Sequence, residues 1–269
     1  MSFGKKAAER LANKIILITG ASSGIGEATA RELASASNGN LLLILAARRE
    51  DRLSKLSSSL MLQWPKLKIH TQKLDVTKKE TLKPFIDDLP KEFSDIDVLV
   101  NNAGKALGRS IVGEVSDEDI DGMMSTNVLG LINMTQTVLP IFKKKNSGDI
   151  VNIGSVAGKD PYPGGSVYCA SKAAVNFFTH SLRKELIDTG IRVLEVDPGA
   201  VKTEFSVVRF HGDTAMADKA YEGTEPLGPE DIAEIIVFGL SRRPNTVIAE
   251  TLVFPSHQAS ASHIYRKPT

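Results

Sequence analysis

The stretch that decides the fold is Ile15-Ile-Leu-Ile-Thr-Gly-Ala-Ser-Ser-Gly-Ile-Gly26. Its apolar start predicts a short buried strand over 15–19, and the pattern of 24–35 predicts a helix directly after the glycine-rich turn. Glycines permit close approach of the backbone to a diphosphate, and the helix N-terminus offers free N–H groups. The spacing differs from the common Gly-x-Gly-x-x-Gly, but the strand–loop–helix context favours dinucleotide binding over turn chemistry alone. The candidate binding residues are Gly20, Ser22, Ser23, Gly24, Ile25 and Gly26.

Strands and helices alternate along the rest of the chain. The sequence predicts further strands at 41–46, 67–73, 98–100, 149–153, 191–196 and 247–253, and helices at 50–62, 77–88, 117–142, 167–188 and 229–240. Short apolar strands separated by helices indicate parallel βαβ units with both sheet faces covered. We therefore expect an α/β fold, a single doubly wound Rossmann domain over residues 1–269.

Residues 200–227 depart from this alternation, since the segment is long, mixed and poorly periodic. A connection of that length in a compact domain is usually functional. We predict a substrate lid, with a mobile surface excursion as the alternative.

Composition limits the partners. Lys and Arg number 33 against 32 Asp and Glu, which argues against nucleic acid or an anionic membrane. The longest apolar run, 41–47, is far too short for a membrane span, and residues 1–11 lack an apolar signal core. The single cysteine, Cys169, fits a reducing compartment and favours a small interior residue over a nucleophile. We expect a cytoplasmic protein, with a nuclear pool left open.

The end of the second strand predicts the cofactor. An acidic residue there would bind the ribose 2′-hydroxyl of NAD, but Ala47 occupies the place and Arg48 and Arg49 follow. An arginine fork suits a 2′-phosphate, so we expect NADP. The alternative is that both arginines merely begin a charged helix face.

Two further strand ends supply candidate cofactor contacts. Asp75 and Val76 follow the third strand, where a carboxylate can accept a hydrogen bond from an adenine amino group, although Asp is also a common helix cap. Asn102, Ala103 and Gly104 follow the fourth strand, where the asparagine can tie loops together and the small residues leave room for a ribose. Ordinary turn chemistry is the alternative for this second group.

Four polar residues are candidates for chemistry. Tyr168 and Lys172 are four residues apart, so on a helix they share a face. A phenol titrates near ~10, and a neighbouring cation lowers its pKa, which makes it a usable acid or base. Ser155 follows a strand and can point into the crevice. Asn127 lies in mid-helix, where asparagine is unfavourable, and this indicates a purpose other than an exposed polar residue.

These motifs together resemble the short-chain dehydrogenase/reductase family, in order and from about residue 14 onward. The resemblance implies about seven parallel strands and hydride transfer between a nicotinamide and a carbinol or carbonyl carbon. It implies Tyr168 as general acid/base, Lys172 as the residue that lowers its pKa and binds the nicotinamide ribose, Ser155 on the substrate oxygen and Asn127 on a relay water. Residues implied at the nicotinamide end are Pro198, Gly199, Val201 and Thr203.

Segments 102–108, 161–168 and 203–213 are similar to those of the NADP-dependent 3-hydroxy acid dehydrogenases, the subgroup of yeast-type L-serine/L-allo-threonine dehydrogenases. This implies small substrates of the serine, allo-threonine, 3-hydroxyisobutyrate or 3-hydroxypropionate class, in either direction. It also implies a homotetramer built on the helices that begin near Asp117 and Val167. A substrate carboxylate wants a cation, and Arg209 is our candidate, ahead of Lys105 and Lys159. A structural arginine within the lid, a broad-specificity carbonyl reductase and a non-catalytic NADP-binding module are the alternatives.

Overall fold

The computed structural model describes residues 3–267 of the chain. Seven strands form one parallel sheet in the order β3-β2-β1-β4-β5-β6-β7. The strands are β1 (Ile15–Thr19), β2 (Leu42–Ala47), β3 (Lys68–Lys73), β4 (Val98–Asn101), β5 (Gly148–Ile153), β6 (Ile191–Pro198) and β7 (Glu250–Val253). The helices are α1 (Phe3–Leu11), α2 (Gly24–Ala36), α3 (Glu50–Gln63), α4 (Lys79–Asp87), α5 (Asp117–Met124), α6 (Leu131–Lys145), α7 (Ser166–Glu185), α8 (Phe205–Arg209), α9 (Thr214–Lys219) and α10 (Pro229–Leu240). The doubly wound α/β Rossmann architecture is confirmed.

Alternate residues of the central strands enter two separate apolar layers. Ile16 and Ile18 of β1 pack with α2, α3 and α10, whereas Leu17 packs with α4, α6 and α7 on the other face. All three side chains are fully buried. A strand buried on both sides reads as a continuous apolar run, which is why 15–19 was recognisable from sequence.

The strand order reverses between β1 and β4, whose pairing runs from Ile16 opposite Val98 to Ile18 opposite Val100. Beyond the carboxyl ends of these strands a crevice opens, because their following connections diverge to opposite faces. This is where the polar candidates converge.

Several predicted elements differ from the structure, among them the helix expected over 167–188, which ends at Glu185. The helix expected over 117–142 is interrupted by a π-helical segment, Ser125–Gly130, before it continues to Lys145. β7 begins at Glu250 rather than 247. The segment 200–227 contains α8 and α9, whose few turns are too short to give a periodic pattern.

Candidate active site

A cavity of about 300 Å³ occupies the crevice beyond β1 and β4. It is lined by most of the residues predicted from sequence: Gly20, Ser22, Ser23, Gly24, Ile25, Arg48, Arg49, Asp75, Val76, Asn102, Ala103, Gly104, Ser155, Tyr168, Lys172, Pro198, Val201 and Thr203. Gly26, Gly199, Asn127 and Arg209 are not in its lining. Residues that sequence analysis missed include Thr126, Glu204, Phe205 and Val208.

The glycine-rich turn is a tight cradle that excludes side chains. Gly20 has φ +67°, and a Cβ on it would lie 2.9 Å from the Cα of Ala103. A Cβ on Gly26 would lie 2.5 Å from Nδ2 of Asn102 and 2.6 Å from the carbonyl oxygen of Gly20. Asn102 is held there because Nδ2 donates to the carbonyls of Thr19 and Gly20, at 2.9 and 3.2 Å. The bare backbone and the start of α2 fit a diphosphate.

The two arginines after β2 stand in different surroundings. Arg49 donates to the hydroxyls of Ser22 and Ser23, at 3.2 and 2.7 Å, and to Glu204 at 2.9 Å. Arg48 lines the cavity and forms no hydrogen bond or ion pair with any other residue of the described chain. Donors of this kind fit a 2′-phosphate.

Asp75 lines the cavity and also forms hydrogen bonds with a neighbouring residue in sequence. Its Oδ1 accepts from the N–H and the hydroxyl of Thr77, at 3.0 and 2.8 Å. This side chain therefore caps its own turn, and its Oδ2 accepts no hydrogen bond within the described residues.

Tyr168 and Lys172 both lie on α7 and are both buried. Contrary to our expectation, the pKa of Tyr168 is raised rather than lowered, because burial outweighs the hydrogen bond from Ser155 and the charge of Arg209. Lys172 instead donates to the carbonyl of Ile153, at 2.7 Å. Burial lowers the pKa of Lys172 to about 8, against the opposing charges of Asp197 and Glu195.

Ser155 is held by Asp197, which forms a buried acidic pair with Glu195 on β6. Its N–H donates to Oδ1 of Asp197 at 3.0 Å, and Oδ2 of Asp197 lies 3.5 Å from Nζ of Lys159. Burial, followed by the charge of Glu195, raises the pKa of Asp197 to about 7. Sequence analysis missed this pair, although two acids at alternate positions of an apolar strand were a visible signal. Lys159 is occupied here and is withdrawn as a carboxylate ligand.

Asn127 lies in the π-helical segment and is buried, so the exposed alternative is wrong. Its Oδ1 accepts from the N–H of Lys105, and Nδ2 donates to the carbonyl of Lys105 and to Ser171. A Cβ on Gly104 would lie 3.4 Å from Oδ1 of Asn127 and 3.7 Å from Nζ of Lys172. Asn127 thus fixes the loop that passes over Lys172.

Arg209 forms hydrogen bonds with residues outside the segment 200–227. Nε donates to the carbonyl of Gly108 at 3.2 Å, and Nη1 donates to the hydroxyl of Tyr162 at 3.0 Å. Its guanidinium carbon is 5.9 Å from the ring centroid of Tyr168. Arg209 and Tyr168 share a second, small cavity of about 10 Å³, enough for one water molecule. Nη2 makes no bond within residues 3–267, so it can take an anion.

Cys169 is buried, in agreement with the interior interpretation. Among residues 3–267, no group of His, Cys, Asp and Glu side chains could hold a metal ion. No helix in that range is both long and apolar enough to cross a bilayer.

The fold and the site are those of a Rossmann-fold oxidoreductase that uses a nicotinamide cofactor. Comparison with known proteins identifies the family. Residues 14–213 match the model of the short chain dehydrogenase family, and the chain belongs to that family. It is 56% identical over 258 residues to an NADP-dependent 3-hydroxy acid dehydrogenase of Schizosaccharomyces pombe, covering 96% of this chain and 98% of the relative.

Two other relatives extend this picture. A sulfoacetaldehyde reductase 2 of Chromohalobacter salexigens is 44% identical, over 91% of this chain and 95% of the relative. The solved closed form of a serine dehydrogenase complexed with NADP+ has a TM-score of 0.86 and 38% identity, over 94% of this chain and 99% of that one.

Proposed function

We propose that this protein is an NADP-dependent oxidoreductase that acts on the 3-hydroxyl carbon of small 3-hydroxy acids. The observation that carries the proposal is the position of Tyr168, a buried phenol that shares a hydrogen bond with Ser155 and has the guanidinium carbon of Arg209 5.9 Å from its ring centroid. A phenol that can transfer a proton, with a guanidinium close to it, suits a substrate that has both a hydroxyl and a carboxylate. The names of the relatives, a 3-hydroxy acid dehydrogenase and a serine dehydrogenase, support the same class.

We assign cofactor binding to the cavity lining. Bound NADP would supply the hydride acceptor or donor. The glycine cradle would take its diphosphate, Arg48 and Arg49 its 2′-phosphate, Asp75 and Val76 its adenine, and Asn102, Ala103 and Gly104 its ribose. The nicotinamide end would be held by Tyr168, Lys172, Pro198, Gly199, Val201 and Thr203.

In oxidation, Tyr168 would accept the proton of the substrate hydroxyl, while Ser155 donates a hydrogen bond to the same oxygen. In reduction Tyr168 would give a proton to the carbonyl oxygen, and Ser155 would again donate a hydrogen bond to that oxygen. Because burial raises the pKa of Tyr168, this phenol needs nearby positive charge to act as a base. The charge of Arg209 lowers that pKa, and Lys172, four residues along α7, would add to this effect. Asn127 holds the Lys105 loop, and its role in a water relay stays a prediction.

We propose Arg209 as the carboxylate ligand, because its Nη2 makes no bond within the described residues and its guanidinium carbon lies 5.9 Å from the ring centroid of Tyr168. L-Serine, L-allo-threonine, 3-hydroxyisobutyrate and 3-hydroxypropionate are the substrates to compare. Reduction of the corresponding 3-oxo acids is the same chemistry reversed, and the kinship with a sulfoacetaldehyde reductase favours testing that direction too.

A homotetramer remains our proposal for the assembly. Leu129 and Phe177, from the helical stretches we expect at the subunit contact, are 56% and 74% exposed in the single chain. Apolar side chains exposed to this degree are suited to an interface. Light scattering on the eluted protein gives the subunit number directly.

The experiment that tests the function is NADP reduction with each acid and with a plain secondary alcohol, repeated with NAD. Turnover confined to NADP and the acids is the expected result. Equal turnover of the plain alcohol would contradict acid recognition and favour a broad carbonyl reductase. No turnover of any substrate with NADP bound would favour the non-catalytic module.

A further inference from the structure

A lid carboxylate lies on the arginines that follow β2. Oε2 of Glu204 is 2.9 Å from Nη1 of Arg49, and both Glu204 oxygens are 2.7 Å from Nη1 of Arg52. These contacts join residues more than 150 positions apart. Hydrogen bonds from Arg52, and then from Arg49, hold the pKa of Glu204 below its usual range. Glu204 is therefore a full anion at neutral pH.

The carboxylate stands at the place that we assign to the 2′-phosphate of NADP. Glu204, Arg48, Arg49, Ser22 and Ser23 all line the same cavity. The guanidinium donors that suit a phosphate are the kind that Arg49 already gives to Glu204. An ionised carboxylate and a bound phosphate repel each other there, so both cannot keep the same donors.

We propose that Glu204 is an internal competitor for the 2′-phosphate, and that NADP, but not NAD, takes Arg49 away from it. This inference rests on the proposed NADP dependence. A phosphate monoester carries about 1.5 to 2 negative charges near neutral pH, whereas the carboxylate carries one. The Arg49 and Glu204 side chains are 41% and 43% exposed, so their ion pair is weak enough to be displaced.

A short segment, 204–209, connects Glu204 to Arg209, so displacement of Glu204 can affect the proposed substrate site. Glu204 directly precedes α8, and α8 ends at Arg209. Thr203, on the other side of Glu204, lies beside the glycine cradle, since a Cβ on Gly24 would be 3.3 Å from Cβ of Thr203. The 2′-phosphate therefore removes one of the two arginines that hold Glu204, leaving Arg52, and 203–209 is held less firmly.

Isothermal titration with two cofactor fragments tests this without any catalytic step. Adenosine 2′,5′-bisphosphate carries the 2′-phosphate, and adenosine 5′-phosphate lacks it. Glu204→Gln should bind the bisphosphate about two- to fivefold more tightly than the wild type does, the range for one exposed ion pair, with the monophosphate unchanged. Asp218→Asn, at an exposed lid acid without an ion pair in the described chain, is the matched control and should match the wild type.

Hydrogen exchange gives a second measurement. The bisphosphate should speed exchange of the amides of 203–209 in the wild type, with no such gain in Glu204→Gln. Unchanged or weaker bisphosphate binding by Glu204→Gln, alongside a wild-type preference for the bisphosphate, overturns the inference alone. A wild type that does not prefer the bisphosphate overturns the proposed cofactor and this inference with it.

Discussion

Replacing Arg209 with methionine should convert an acid-selective enzyme into one that no longer distinguishes acids from neutral alcohols. Methionine keeps the unbranched stem but removes the guanidinium, including the Nη2 that makes no bond within the described chain. The bonds from Nε to Gly108 and from Nη1 to Tyr162 are lost as well. A charge-assisted hydrogen bond contributes about 1.5–3 kcal/mol, which corresponds to about 10- to 150-fold.

Arg209 also lowers the pKa of Tyr168, so its loss slows every substrate. The ratio of kcat/KM for L-serine to kcat/KM for a plain secondary alcohol removes this shared effect. We expect that ratio to fall about 30-fold, near the middle of the range for one charged hydrogen bond. The assay is initial-rate NADP reduction at saturating cofactor.

Two control variants sharpen the result. Arg109→Met removes an exposed arginine from the loop that Arg209 contacts and should leave the ratio unchanged. Tyr162→Phe removes only the hydroxyl that accepts from Nη1, so it should lower the ratio by a small factor. Equal loss for both substrates in Arg209→Met would refute carboxylate recognition and leave Arg209 as a modulator of Tyr168.

Three further predictions concern the cradle and the buried charges. Gly26→Ala should weaken NADP binding by more than about tenfold in a titration, because its Cβ would meet the Gly20 carbonyl at 2.6 Å and tight packing does not absorb such a contact. Glu195→Gln should move the alkaline loss of kcat/KM, which we assign to Lys172, to lower pH, since the Glu195 charge raises that pKa; no movement would contradict the assignment. Asp197 has a folded pKa of about 7 against 3.8, so its contribution to stability is complete below about 3.8 and is lost as pH rises through about 7. The melting temperature of Asp197→Asn should therefore fall less between pH 5 and 8 than that of the wild type.

The central strands β1, β2 and β4 were predictable because each is an apolar run buried on both faces, and β1 was located to the residue. The edge strands β3 and β7 are only partly buried, and the start of β7 was predicted three residues too early. The cofactor loop was predictable because its chemistry is local, with strand, turn and helix adjacent in sequence. The π-helical segment around Asn127 was not, because the bonds that favour it go to Lys105 and Ser171, far along the chain.

The same limit explains the missed charges. Glu204 resembles any exposed lid acid until the fold places Arg49 and Arg52 against it. The pKa of Tyr168 was predicted in the wrong direction. The i, i+4 spacing brings Lys172 to the same face of α7, but it says nothing about burial or about the Ile153 carbonyl that accepts a hydrogen bond from Lys172. The sequence identified Tyr168 and Lys172 as neighbours, but the direction of their pKa shifts depends on burial, which the sequence did not show.

The proposed lid has a consequence for the order in which cofactor and substrate bind. Thr203 lies over the cofactor cradle, and Arg209, six residues later, faces Tyr168. The one segment 203–209 would therefore contribute to the proposed substrate site and to the cofactor site. Our proposal of a substrate lid over 200–227 predicts that NADP binds before the acid and leaves after it, with lid opening as the step that limits release.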